Sequence, residues 1–280
     1  MSRYRVVHKT GFKYDGAAGA SYNEVRLLPA RDDNQLVFSS KLEIHPQGSV
    51  HEFFDYFGTR TAMFEVLEPH SELSIVSTSV VEVRTHARTA PDLNWTSLIN
   101  SIQGSLELVD AVTQTRRTLP PQDLIKHSAK LAESLDPHDA AMAICKRVFK
   151  SMTYKHGVTG VHSVAAEAWK QKVGVCQDFA HITLGALRSV GIPARYVSGY
   201  LYPATDRKIG EAVIGESHAW VEWWAGSWFA FDPTNDIEVL DRHIVVGRGR
   251  DYDDVPPLRG VYAGGLDSEL FVSVEITKEN

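Results

Sequence analysis

The sequence predicts an α+β protein. An N-terminal β-sandwich-like domain is expected over residues 1–95, and a core of helices packed on an antiparallel sheet over residues 96–280. Three observations carry this. Short alternating runs rich in β-branched and aromatic residues fill roughly the first hundred positions. Helical spacing of apolar residues takes over from Asp136. Strand patterning returns after a helix that opens at Cys176, so helices come first and the sheet after.

Taken in order, "RYRVVHKTGFKY" reads as a strand that "DGAAGAS" breaks. "NEVRLLP", "QLVFSSKLEIHP", "SVHEFFDYFG", "RTAMFEVLEP" and "ELSIVSTSVVEVRT" follow, separated by Gly, Pro, Asp and Asn. "HARTAPDLNWTSL", His86 to Leu98, is the candidate boundary. Asp136-Pro137-His138-Asp139 supplies an N-cap, a proline at the first helical position and an acid in the first turn. Met142, Cys145, Phe149 and Met152 then share a face. "SVAAEAW" is another helix. The helix from Cys176 turns Phe179, Ala180, Ile182, Leu184, Leu187 and Val190 inward and ends at Gly191, with Pro193 beyond. "ARYVSGYLYP", "SHAWVEWW", "SWFAFDP", "HIVVG" and "LFVSVEIT" are strands.

At 280 residues the chain can build one large domain or two smaller ones. A net charge of -6 argues against nucleic acid or an anionic membrane as partner, since both want a basic surface. The start has no apolar signal-peptide core, and no run approaches the roughly 18 apolar residues of a spanning helix. A cytoplasmic protein is expected. The two cysteines, Cys145 and Cys176, are expected as thiols. No H-E-x-x-H or cysteine-pair spacing is present, so no zinc and no other cofactor are expected.

Chemistry is suggested by "GVCQDFAH" and the hairpin "ESHAWVEWWAGSWFAFDPTND". Cys176 sits at a helix start, where unpaired N–H groups and the positive dipole end favour a thiolate and an oxyanion. A free thiol titrates near 8.5, and such a setting with a neighbouring imidazolium lowers that by several units. His218 and Asp232 fall opposite each other if the hairpin centres on Ala225 in a Trp224-Ala225-Gly226 loop. The carboxylate would then reach the imidazole across the sheet and fix its tautomer.

"GVCQDFAHITLGALRSVGIPARYVSGYL", "SHAWVEWW" and "FDPTND" resemble the catalytic blocks of the transglutaminase-like superfamily. The resemblance extends to "RYRVVHKTGFKYDGAAGASYNEVRLLP", "FFDYFGTRTAMFEV" and "GRGRDYDDVPPLRGVYAGG", which resemble the β domain and C-terminal signature of the bacterial branch. It implies a papain-like core, with Cys176 as nucleophile, His218 as general base and then acid, and Asp232 as orienter. It implies a peptide, protein or amide substrate attacked through a thioester. Water as acceptor makes a peptidase or amidase, and an amine makes a transglutaminase; hydrolysis is favoured. Tyr154 and Gln177 are candidates for completing the oxyanion hole. A loop containing "GRGRDYDD" near the site is a family-level expectation.

The remaining residues have structural readings. Cys145 is expected as packing, Asp178 as a cap of the Cys176 helix, and His181 as structural. Asn235 and Asp236 are expected to hold the turn after Asp232. Trp220, Trp223, Trp224 and Trp228 are expected mostly in the core, with one or two roofing the cleft. Two other classes remain: a binding module that does no chemistry, against which the intact Cys, His and Asp argue, and a thiol redox protein, against which the lack of C-x-x-C argues. Oligomeric state is left open.

Overall fold

The computed structural model describes residues 1–85, 93–157, 160, 162–203, 209–264 and 267–280. Most of the expected boundary at His86–Leu98 lies outside the described residues. The N-terminal part carries β1 (Ser2–Ala18), β2 (Ala20–Val25), β3 (Gln35–His45), β4 (Val50–Phe54), β5 (Arg60–Val66) and β6 (His70–Val83). Then come α1 (Trp95–Gln103), α2 (Leu106–Val112), α3 (Gln122–Ala132), α4 (Pro137–Ser151), β7 (Thr153–Tyr154), α5 (Ala165–Gln171), β8 (Val173–Gly174) and α6 (Cys176–Ser189). Last are β9 (Ala194–Leu201), β10 (Ala212–Gly215), β11 (Ser217–Trp224), β12 (Trp228–Asp232), β13 (Ile237–Glu238), β14 (His243–Gly249), β15 (Leu258–Ala263) and β16 (Ser268–Lys278). No described helix is long and apolar enough to cross a membrane.

The α+β reading holds. Two antiparallel sheets, β10-β16-β1-β6-β3 and β15-β2-β5-β4, enclose a core of Tyr14, Val25, Leu27, Phe64, Leu73 and Ile75. A third, β13-β12-β11-β9-β14, carries the helices on one face. There Tyr196, Val221, Trp223 and Phe231 pack against Phe179, Ile182, Leu184 and Leu187 of α6. The first and third sheets meet through Tyr4, Val6, Val81, Tyr200, Ile244, Val246 and Ile276.

These sheets do not follow the expected division at residue 95. β10, β15 and β16 lie late in the chain, yet they pair with β16, β2 and β1 respectively. Alternation marks a segment as a strand but does not name its partner.

Local readings differ in several places. Three helices, α1 to α3, already precede Asp136, where helical spacing was expected to take over. β1 continues through Asp15 and Gly16 to Ala18, absorbing the glycine in a register shift rather than ending there. The buried stripe of α4 is Ala141, Ile144, Cys145 and Val148, and Phe149 is 37% exposed. "GRG" of the expected loop is the end of β14, so only the residues after Gly249 form a turn, with a 3-10 segment over Tyr252–Asp254.

Candidate active site

α6 begins where Gly174 and Val175 bring the chain out of β8. Val175 has no polar side chain to cap the helix. Asp178 takes over, its Oδ2 accepting the Val175 N–H at 2.8 Å while Oδ1 accepts the Ser163 hydroxyl. This is the expected capping role. Gly174 is required by it, because a Cβ there would stand 2.7 Å from the Cβ of Asp178. The cap holds Cys176 at the first helical position, half-buried, with every residue from Gln177 to Arg188 buried behind it.

His218 opens β11, and Asp232 ends β12. Their register differs from the expected one. Trp224 pairs with Trp228, so the loop is Ala225-Gly226-Ser227 with Gly226 at φ +90°. The two tryptophans stay in the ladder and pack edge to face at 5.6 Å, which moves the turn one residue on. Asp232 then stands level with Trp220, and His218 is its diagonal neighbour on the same face. The contact survives: His218 Nε2 lies 2.7 Å from Asp232 Oδ2.

Asp232 is fully buried, and its charge is answered from several sides. Oδ1 accepts the N–H groups of Thr234 at 2.9 Å and Asn235 at 3.2 Å. Oδ2 accepts the Asn235 side-chain amide at 2.7 Å and lies 3.4 Å from His243 Nε2. Burial pushes the carboxyl up. The bonds from His218 and His243, with the charge of His218, more than offset this and hold it well below the usual range. His218 is the converse: burial pulls it down, but the bonds to Asp232 and Cys176 raise it above an ordinary histidine. With Nε2 committed to Asp232, Nδ1 is the ring nitrogen left for Cys176.

His243 was not singled out by sequence. It starts β14, three strands away from Asp232's β12 in the sheet, and no local motif marks it. Its Nδ1 accepts the Leu240 N–H at 3.4 Å, which leaves Nε2 protonated toward Asp232. Burial first of all lowers its basicity, so it serves as a neutral donor. The polar atoms of His218, Asp232 and His243 lie within 4.8 Å of one another, close enough to hold a metal ion. The hydrogen bonds just described already link all three.

Cys176 and His218 open on a cleft of about 380 Å³. Tyr154 and Gln177 both line it, as do Glu216, Tyr252 and Val272–Val274. Tyr154 reaches it because β7 pairs with β8, placing Tyr154 beside Gly174. Its hydroxyl is pushed up to about 12, by burial and then by Cys176 and Glu216. The turn after β14 therefore does reach the cleft, through Tyr252. It is tied to α6 by the Tyr252 N–H on His181 Nε2 at 3.1 Å, which gives His181 its structural role. Cys145 is fully buried and its thiol is pushed up by desolvation. Trp220 and Trp223 are fully buried, and among the described residues no tryptophan lines this cleft. A separate cavity of about 420 Å³, walled by Tyr56, Phe57, Arg195 and Trp228, shares no residue with it.

A half-buried thiol at the mouth of a buried helix, facing a strand histidine, on a helix-covered antiparallel sheet, defines the class: a papain-like cysteine core. The chain belongs to the transglutaminase-like superfamily, in its bacterial branch. Residues 126–233 match the Transglutaminase-like superfamily core and residues 4–82 the Bacterial transglutaminase-like N-terminal region. An uncharacterised protein of Mycobacterium leprae is 42% identical over 99% of each chain. One of Mycobacterium tuberculosis is 35% identical over 98% of this chain and 92% of its own. A protein-glutamine gamma-glutamyltransferase of Pseudomonas aeruginosa is 34% identical over 91 residues, 30% of this chain and 13% of that one. A crystal structure of a candidate cysteine protease from Cytophaga hutchinsonii shares the fold, with TM-score 0.74, 21% identity, and coverage of 100% of this chain and 92% of that one. Family and fold together support a cysteine-dependent enzyme.

Proposed function

We propose that the chain is an acyl-transfer enzyme acting on peptide or amide bonds, with hydrolysis favoured. The observation that carries this is the hydrogen-bonded relay Asp232–His218–Cys176 at the start of α6. The Cys176 sulfur attacks the carboxamide carbon, and its proton passes to His218 Nδ1. Asp232 holds the imidazole through Nε2 and supports its positive charge. First-turn N–H groups of α6 receive the oxyanion, with Tyr154 or Gln177 as the side-chain donor. The C–N bond breaks, and His218 returns the proton to the leaving amine. Water, deprotonated by His218, then cleaves the thioester to a carboxylic acid and frees the thiol.

Hydrolysis is favoured because transfer needs a site that excludes water from the thioester. Tyr154 and Glu216, both on the cleft wall, are exposed. Transfer to an amine is the second reading, and the same Glu216 favours it, since a cleft carboxylate would draw in a cationic amine, which passes its proton to His218 before attacking the thioester. Incubation with a glutaminyl peptide, with and without a primary amine, separates them. Ammonia release without amine incorporation supports hydrolysis, and incorporation supports transfer. Cys176→Ala should abolish either; activity that persists in that variant would remove Cys176 from the reaction.

A further inference from the structure

We propose that the substrate is an extended polypeptide segment, which docks as an added strand on the open edge of β16 and so enters the cleft at Cys176. This rests on Cys176 as the nucleophile. β1 covers one edge of β16 along its whole length, from Ser268 opposite Tyr14 to Lys278 opposite Tyr4. β10 covers the other edge only from Val274 to Thr277. Among the described residues no strand pairs with that edge between Ser268 and Ser273. The ladder stops because the chain leaves β10 at Gly215 and starts β11 at Ser217.

That gap opens onto the cleft. Gly215, Glu216 and Ser217 line it, as do Val272, Ser273 and Val274, with Gly215 paired to Val274 where the β10 ladder ends. A strand continuing the path of β10 along β16 would therefore run past the Cys176 sulfur. The side chains fit this use. Val274 and Ile276 face the core and are buried, while Leu270 and Val272 lie on the same face and are 52% and 53% exposed. They form an apolar shelf that the core does not cover.

Sheet edges are normally blunted with charge, proline or a bulge. The open stretch carries one charge, Glu269 at its far end; Leu270-Phe271-Val272-Ser273, next to the cleft, has none of these, and its register with β1 is unbroken. Backbone groups on such an edge bind any extended chain, and alternate side chains of that chain rest on Leu270 and Val272. A helix or a small amide uses neither feature. The occupant is thus an unfolded or loop segment of a protein, read loosely by sequence.

The test uses peptides bearing a thiol-alkylating chloroacetamide on a central diaminopropionyl side chain, extended with alanines on one side or the other. The rate of Cys176 alkylation, divided by the rate with iodoacetamide, is measured by mass spectrometry. Extension on one side should raise this ratio about tenfold, as expected for a few strand hydrogen bonds at the edge. N-methylation of alternate backbone nitrogens on that side should remove the gain with a period of two. Val272→Asp should bring the extended probe back toward the short one. A ratio independent of length, or a uniform response to N-methylation, overturns the proposal while leaving Cys176 as nucleophile. A dimer that Val272→Asp dissociates assigns the edge to a second copy of the chain and also overturns it. An iodoacetamide rate at Cys176 no higher than that of an ordinary thiol instead defeats the nucleophile reading itself.

Discussion

Asp232 is a buried charge, so each donor around it is a condition of its being there. Removing it leaves His218, His243 and Asn235 without their acceptor. Asp232→Ala should therefore cost about 3–5 kcal/mol in urea unfolding at neutral pH. The folded carboxyl titrates below its unfolded value of about 3.9, so the stabilisation is present above that pH and lost as pH falls through the folded value. The gap between wild type and variant should narrow in acid; a gap unchanged at about pH 3 would contradict the ionised reading. His218 runs the other way. Its folded basicity is raised, so its contribution is complete below about pH 6.5 and lost as pH rises through the folded value. His243 should act by position alone. His243→Ala removes one donor to Asp232, about 1 kcal/mol net, and should lower kcat about tenfold with little change in KM. A change in KM alone would show that it touches substrate instead.

At the scale of elements, the start of α6 decides whether Cys176 is presented. Gly174→Ala drives a methyl into Asp178 and should cost about 1–3 kcal/mol and slow Cys176 alkylation. Asp178→Ala should cost about 0.5–2 kcal/mol through loss of the cap, measured by thermal and urea unfolding. If both variants alkylate as fast as wild type, the cap does not set the thiol's position. This element was legible in sequence because its signals are local: a tight Gly-Val-Cys, an acid in the first turn, and Gly191 at the end. The hairpin was legible in which face His218 and Asp232 share, but not in register. Face depends on parity, whereas register depends on the Trp224–Trp228 pair, a packing choice. His243 was not legible, since its approach to Asp232 is set by the tertiary order β12-β11-β9-β14 and not by any local pattern.

Across the whole molecule, the late strands tie the two parts of the chain together. β16 is bound to β1 over eleven residues, β15 to β2, and β14 reaches Ala30 and Gln35 through Val245. Severing the N-terminal part would strip these partners and expose Val246, Val274 and Ile276. A chain of residues 94–280 alone should therefore show no cooperative thermal transition in circular dichroism; a sharp one would establish an independent core. The same assembly sets the functional geometry, because Cys176, His218 and Asp232 come from three elements that only the completed sheet and α6 bring together. The most direct measurement is the pH dependence of iodoacetamide alkylation at Cys176, read by mass spectrometry in wild type and His218→Ala. The relay predicts that wild-type Cys176 outpaces an ordinary exposed thiol below about pH 7 and that His218→Ala loses this advantage. Equal rates in the two proteins, both rising as an unperturbed thiol near 8.5, would contradict it.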